Sequence, residues 1–452
     1  MENLPGSPAP PAYDEVERAL LDRWPETRLE PSLDRIRALC DLMGDPQTAY
    51  PVISVTGTNG KTSTSRIIDA LLRGLGLRTG RFTSPHLESM TERISLDGES
   101  LTRGQFSAAY ADVAAYAAVV DRSGPHRLSF FETVTGMAYA AFADAPADVA
   151  VVEVGMGGRW DATNVADAQV AVVTPIDVDH SRYLGDTRAE IAAEKAGIIK
   201  PGAMAVLARQ PVEAAEVLLR QAVEVGATVA REGIEFGVTA RVTGVGGQVV
   251  SVRGLAAGYD EMFLPLHGAH QAQNAACAIA AVEAFVGAIE LDADVVRNAL
   301  AEATSPGRLE LVRRSPAIVL DAAHNPAGAR ATAEALQEAF LFTPLVGVIG
   351  VMADKEAEGI LAAFEPVLAD VVCTQNSTHR ALPAAELADI AAGVFGVDRV
   401  HTVPALDDAI DVAAGLAESG GSYGEALGSG GVLVTGSDIT VGEARRLLGG
   451  AR

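Results

Sequence analysis

Cysteine is scarce in this 452-residue sequence: there are three, Cys40, Cys277 and Cys373, far apart and odd in number. That excludes a disulfide framework and offers no metal-type spacing, so each is expected to be a small buried apolar residue in a reducing compartment. Basic residues are also short, with 35 Lys and Arg against 59 Asp and Glu and a net charge of −24. Such a balance argues against sequence-independent binding to nucleic acid or to an anionic membrane. No run approaches the ~20 uninterrupted apolar residues that cross a bilayer. The opening "MENLPGSPAPPAYDEVERALL" holds neither a basic n-region nor an apolar h-region. The expectation is a soluble, cytoplasmic protein without nucleic-acid or membrane partners. An anionic substrate would have to be held by local cations, metal ions and helix ends. Short-period repeats are missing too, and no serine or cysteine nucleophile constellation is found.

What is present divides into two parts. A chain of this length exceeds the roughly 250–300 residues that one hydrophobic core serves. An apolar share of 48% is ordinary for globular chains. Residues 1–12, containing "PGSPAPP", read as a loose leader. Val52 to Val55 are β-branched and polar-poor, a glycine turn follows, and Ile67, Ile68, Leu71, Leu72 and Leu75 recur at helical spacing. "ADVAVVEVG" and "AQVAVVTPI" read as buried parallel strands. Thr187 and Glu190 fit a capping box and Gly197 a helix stop, which places Lys195 near the end of a short helix. From about Gly233 to Pro265, valine-rich alternation broken by "GVGG" and "GLAAG" predicts an antiparallel hairpin. At "TSPGRLE" a second βα series begins, with "AIVLDAAHNP", "LVGVIGVMADK", "ADVVCTQ", "DRVHTV" and "GVLVTGSDIT". The expected fold is therefore α/β, with one domain over 1–303 and a smaller doubly wound domain over 304–452. "ESGGSYGEALGSGG", near Gly420 to Gly431, is expected to be one flexible loop.

The stretch "VTGTNGKTSTSR", Val55 to Arg66, carries the first chemical signal. A glycine-rich turn entering a helix presents backbone N–H groups and the positive end of the helix dipole to an anion. Lys61 is placed to reach outer phosphates, and the Thr62 hydroxyl to bind Mg2+. Strict Walker A spacing would need glycine at Val55; the glycine stands at Gly57 instead, so the match is to "GTNGKT". A plain βα turn with an exposed lysine is the competing reading, weakened by the position of Gly60, Lys61 and Thr62 between strand and helix. Glu153 ends a predicted parallel strand, where the ligand crevices of open α/β sheets lie, and a buried carboxylate there is costly unless paired or metal-bound.

"VTGTNGKTST", "TSPHLESMTERI", "SFFETVTGMAYAAF", "VVEVGMGGRWDATN", "TPIDVDHSRYLG", "EKAGIIKPG", "GAHQAQNAACAI", "SPGRLELV", "VLDAAHNPAGA" and "GVMADKEAEGIL" run in order over about residues 50–360. Together they resemble the Mur ligase superfamily and, within it, the folylpolyglutamate synthase/dihydrofolate synthase family in its bifunctional bacterial form. The resemblance implies an N-terminal P-loop ATPase domain with a mostly parallel sheet and a small antiparallel β subdomain, followed by a Rossmann-like ligase domain. It implies ATP as a substrate, two Mg2+ ions and room for a monovalent cation. Dihydropteroate, reduced folates and L-glutamate would be joined through an acyl phosphate, in a monomer.

Carried over residue by residue, the resemblance gives nucleotide binding to Thr58, Asn59, Gly60, Lys61, Thr62, Ser63, Asn274, Arg308 and Asp321. Thr62, Ser84, Glu153 and His180 become metal ligands, with Lys195 joining them as a carbamate. The pterin or folate falls to Phe131, Asp161, Ala162 and Asn164, with Phe130 left to the core, and the glutamate side of the cleft to His324 and Lys355. Lys61, Lys195, His180 and His324 would be the catalytic groups, with Arg308 at a hinge. Each has a plainer reading: a turn hydroxyl for Ser84, a loop histidine for His180, a helix-terminal lysine for Lys195, a turn for Asp161. Asn325 could be an Asx turn before proline, and Lys355 a solvated lysine after a strand. A Mur-type cell-wall peptide ligase and a non-synthetic P-loop nucleotide switch are the alternatives. The former usually has an additional UDP-binding domain, whereas about fifty residues precede this loop.

Overall fold

In the computed structural model, residues 10–25, 31–419 and 430–449 are described. Residues 1–9 of the expected leader and 420–429 of the expected flexible loop lie outside them. The chain forms two compact units. The first comprises residues 1–238, 252–259 and 274–300, and the second 239–251, 260–273 and 301–452.

The first unit is organised by an eight-stranded sheet. Its strands are β1 (Val52–Thr56), β2 (Thr79–Phe82), β3 (Ile94–Leu96), β4 (Glu99–Ser100), β5 (Val149–Glu153), β6 (Val170–Val173), β7 (Met204–Leu207) and β8 (Thr228–Arg231), in the order β4-β3-β2-β5-β1-β6-β7-β8. From β2 to β8 every pairing is parallel, and only the β3 and β4 edge is antiparallel. All residues of β1, β5 and β6 are buried, as continuous apolar strands covered on both faces must be. β1 lies between β5 and β6 in a register that pairs Val55 with Glu153 and Thr56 with Val173. The loops leaving three neighbouring strand ends therefore converge on one spot, the position that open α/β sheets use for ligands.

Local signals explain several elements. Thr187 accepts from the Glu190 N–H and Glu190 reaches back, so the capping box opens the Arg188–Lys195 helix. The helix stops where expected, at Lys195 with Ala196 as its C-cap just before Gly197, and Gly197 itself lies inside the 3-10 turn Ala196–Ile198 without a positive φ. Glycine is needed there because a Cβ would run into the backbone of Arg159. Cys40, Cys277 and Cys373 are all buried free thiols. Under β2, Asp69 of the Lys61–Gly74 helix is fully buried and gathers a polar knot. Arg81 Nη1 donates to it at 2.7 Å, Thr79 Oγ1 at 2.6 Å, and Arg81 Nη2 goes on to Ser95 Oγ at 2.9 Å.

The valine-rich region forms three strands, one more than the hairpin expected: β9 (Gly237–Gly244), β10 (Gly247–Arg253) and β11 (Gly258–Leu264), with β10 central. Most of this sheet belongs to the second unit. There Arg241 pairs with Glu338 at 2.8 Å, and fully buried Gln248 donates to the carbonyls of Leu266 and Gly268.

The second unit's main sheet has six strands: β12 (Glu310–Arg314), β13 (Ala317–Asp321), β14 (Leu345–Ile349), β15 (Asp370–Cys373), β16 (Val400–Thr402) and β17 (Gly431–Thr435). Their order is β12-β13-β17-β14-β15-β16. β13 to β17 are parallel and correspond to the five segments read from the sequence. β12 is an antiparallel edge strand with an irregularity between Leu311 and Arg313. Mostly exposed or half-buried, "ELVRR" gives little apolar signal in sequence.

Truncating Asp69 would leave the Arg81 guanidinium, 4% exposed, without its carboxylate. Asp69→Ala is expected to destabilise the first unit by about 3–5 kcal/mol, read as a lowered denaturant midpoint. A change below about 1 kcal/mol would contradict the burial argument.

Candidate active site

The phosphate loop is shaped by two close approaches. Gly57 sits at φ +148° and a Cβ there would overlap the Thr174 side chain; Gly60 sits at φ +87° and a Cβ would stand 2.5 Å from Asn274 Oδ1. Only glycine meets both demands, left-handed backbone and no side chain. Gly60 thereby brings Asn274 against the loop. The segment after β6 collars it: the Thr58 N–H donates to Pro175 O at 3.0 Å and the Asn59 N–H to the same oxygen at 3.4 Å. The Thr58 hydroxyl donates to Asp177 O at 2.9 Å and accepts from the Asp177 N–H at 3.0 Å. Thr62 and buried Ser63 lie in the first turn of the helix that begins at Lys61.

Two lysines meet on one loop oxygen. Lys61 Nζ donates to the carbonyls of Gly57 and Thr58, both at 3.1 Å, and Lys195 Nζ donates to Gly57 O at 2.8 Å. Burial, followed by the like charge of Lys61, brings the Lys195 ammonium down to about 7; Asp179 and Asp161 oppose the shift. At neutral pH a large share of Lys195 is therefore free amine.

Glu153, 1% exposed, accepts from the Thr62 hydroxyl at 3.0 Å through Oε1. A hydroxyl and a carboxylate at the positive end of a helix are hard oxygen donors of the kind Mg2+ selects. Ser84 is buried just beyond β2. His180 has φ +52° at the head of the short Ser181–Leu184 helix, its Nε2 3.9 Å from Asp179 Oδ2. Among the described residues, no group of three or more His, Cys, Asp or Glu could hold a metal by itself.

Around the expected pterin pocket, Phe130 is core, as read, and Phe131 is half-buried with its ring tilted against Phe82 at 5.7 Å. Asp161, 3% exposed, is occupied by its own turn: Oδ1 takes the Thr163 N–H and hydroxyl, and Oδ2 the Met156 N–H. Burial raises its pKa against those bonds. Ala162 is buried in the 3-10 turn that Asp161 caps, and Asn164 Nδ2 donates to the carbonyls of Arg159 and Gly197.

In the second unit, Asp321 ends β13 and accepts from the Leu309 N–H, the Ala323 N–H and the Thr332 hydroxyl. Asn325 caps the Pro326–Ala339 helix, accepting from the Gly328 N–H at 2.8 Å. Arg308 Nη2 lies 3.3 Å from Asp438 Oδ1, and His324 Nδ1 lies 3.5 Å from Asp438 Oδ2 and 2.9 Å from Ala322 O. Because a carbonyl only accepts, His324 carries a proton on Nδ1. Lys355 is half-buried in a turn closed by its N–H on Met352 O. The sequence reading missed Asp438 and the collar residues Thr174 and Asp177. "TGSD", a serine followed by an acidic first helical residue, was the available signal for Asp438.

Two family models match this chain: the Mur ligase middle domain over residues 55–282 and the Mur ligase glutamate ligase domain over 307–437. A Mycobacterium tuberculosis protein named dihydrofolate synthase/folylpolyglutamate synthase is 52% identical over 96% of this chain and 93% of its own length. The chain belongs to the dihydrofolate synthase/folylpolyglutamate synthase branch of the Mur ligases. A Bacillus subtilis relative of the same name is 30% identical over 93% of this chain and 95% of its own. Among solved structures, a Mycobacterium tuberculosis folylpolyglutamate synthase complexed with ADP matches at 51% identity and TM-score 0.94, covering 97% of this chain and 99% of that one. An Escherichia coli FolC in complex with DHPP and ADP matches at 30% and 0.84, covering 98% and 99%. In this Mur ligase the middle-domain match begins at the phosphate loop. The glutamate ligase match takes in Arg308, Asp321, His324 and Lys355 and stops one residue before Asp438.

The buried lysine gives a pH prediction. Its folded pKa of about 7 lies below the ordinary 10.5, so between those values the unfolded chain binds more protons and native stability rises with pH. In carbonate-free buffer, Lys195→Met should therefore gain stability over the native chain, most below pH 7 and progressively less toward pH 10.5. Denaturant midpoints across that range check this, and a gain independent of pH would overturn the burial account.

Proposed function

We propose that the protein is an ATP-dependent ligase that adds L-glutamate to dihydropteroate and to the γ-carboxyl of reduced folates, releasing ADP and phosphate. The observation that carries this reading is the collared phosphate loop, with Lys61, Thr62 and Glu153 at the converging strand ends, in a chain that aligns with relatives of that name along nearly its whole length. Residues 1–303 and 304–452 would be its two functional domains, acting in a cytoplasmic monomer. Among the described residues no helix is long and apolar enough to cross a membrane.

Thr58 and Asn59, their N–H groups held by Pro175 O, would shape the loop beside the phosphates; the backbone N–H groups of Gly60 to Ser63 would receive them, and Lys61 would exchange the Gly57 and Thr58 carbonyls for phosphoryl oxygens. Asn274, Arg308 and Asp321 would bind the rest of the nucleotide. Thr62 and Glu153 fit magnesium, with Ser84 and His180 as further ligands and Lys195, as a carbamate, serving a second ion; magnesium would neutralise charge on the phosphate oxygens. Phe131, Ala162 and Asn164 would border the pterin, with Asp161 shaping that turn, and His324 and Lys355 would face glutamate.

In the reaction, a carboxylate oxygen of the acceptor attacks the γ-phosphorus and ADP leaves, giving an acyl phosphate. The glutamate amine then attacks the acyl carbon, inorganic phosphate departs and the amine loses a proton. Positioning and charge stabilisation do most of this work.

Purified protein given MgATP, labelled glutamate and each acceptor in turn should yield labelled product with both. Lys61→Ala should lower kcat by about 10²–10³-fold while the fold is retained. Labelled product from neither acceptor, or normal turnover by the variant, would overturn the reading. A free amine is the form of lysine that adds carbon dioxide, so carbon-13 bicarbonate should give a carbamate NMR signal in the native protein that Lys195→Met lacks. Identical spectra would remove the carbamate.

A further inference from the structure

Resting on the proposal that Arg308 and His324 serve the nucleotide and glutamate, the geometry points to Asp438 as the positioning residue that holds both side chains in place. Its two carboxylate oxygens are divided between them: Oδ1 faces Arg308 Nη2 at 3.3 Å and Oδ2 faces His324 Nδ1 at 3.5 Å. An arginine forfeits rotamer freedom when it is fixed. A carboxylate already set in place bears that cost before substrate arrives.

The carboxylate is itself fixed from below. Asp438 opens the Asp438–Leu448 helix, whose N-cap Ser437 accepts from the Thr440 N–H at 3.0 Å. Thr440 Oγ1 donates to Gly350 O at 2.9 Å and accepts from Asn376 Nδ2 at 3.2 Å. Further along the same helix, Arg445 Nε binds both oxygens of Glu310 at 3.1 Å, and Glu310 Oε2 takes the Gly307 N–H at 2.8 Å. One helix thus grips the Gly307 to Glu310 turn at two points on either side of Leu309. Leu309 is a non-glycine residue at φ +47°, held there by its N–H on Asp321 Oδ2 at 3.0 Å. Backbone strain of this kind persists only where its surroundings over-determine it, and it gathers at ligand clamps. Here it orients the residue that Asp438 then aligns.

The test compares Asp438→Asn and Asp438→Glu with the native protein, using ADP with Mg2+ as the calorimetric probe and steady-state kinetics in ATP and glutamate. Asp438→Asn, which keeps shape and removes charge, should weaken ADP binding and raise the KM for ATP by about tenfold, with the thermal midpoint unchanged. Asp438→Glu should restore most of the loss. In an Arg308→Ala background the Asp438→Asn penalty should fall by at least half, because the carboxylate acts through the arginine. ADP binding by Asp438→Asn equal to or tighter than native would overturn the inference. So would an undiminished penalty without Arg308, or a loss confined to kcat with a lowered midpoint. Failure of the native protein to bind ADP would instead sink the reading on which the inference rests.

Discussion

The carbonyl of Gly57 is the atom on which the first unit's chemistry turns. It accepts from Lys61 at 3.1 Å and Lys195 at 2.8 Å, so two ammonium groups share one oxygen inside the protein. Like charges that close are tolerable only if one is lost or an anion joins them. Burial, and after it the like charge of Lys61, brings Lys195 to about 7 while Lys61 stays at the loop. The position of that carbonyl is in turn a backbone matter: it follows from the φ of Gly57 and from the Thr174 side chain, which leaves no room for a Cβ. Burial lowers the Lys195 pKa first, and loop shape adds to it by bringing Lys61 onto the same oxygen.

The second unit solves a related problem with opposite signs. Arg308 and His324 converge on a carboxylate, and the turn carrying Arg308 is held by Asp321, Glu310 and Arg445 through side chains far apart in sequence. Asp321 spends its oxygens on the Leu309 and Ala323 N–H groups and the Thr332 hydroxyl. Whatever it offers a ligand, it first fixes the backbone on which Arg308 stands. Asp161 does the same for its own turn in the first unit. Asp321 and Asp161 are therefore builders of the loops that carry them.

How much of this could be read from residues alone depended on the range of the interactions. The phosphate loop, the parallel strands around it, the Thr187 capping box and the five βα segments of the second unit are encoded within ten or so neighbouring positions, and all were legible. β12 was not, because an edge strand with exposed charged residues has no apolar alternation to announce it. The third strand of the antiparallel sheet merged into the hairpin for the same reason. Gly197 was legible as a helix stop but not as the glycine that the backbone of Arg159, from a distant loop, requires. Asp438 stands 130 residues from Arg308 in sequence, and only folding joins them.

An acidic chain that handles a triphosphate might look self-defeating, yet the global charge of −24 matters less than where cations are held. Exposed charges are screened beyond about 8 Å at physiological ionic strength, whereas buried partners are screened far less. Lys61 already rests on carbonyl oxygens and Arg308 on a carboxylate, so neither must be ordered from bulk water. For Lys61, meeting a phosphate exchanges a neutral acceptor for an anionic one, turning each charge-assisted hydrogen bond into an ion pair. The electrostatic gain is therefore local, and the surface can remain acidic without forfeiting it.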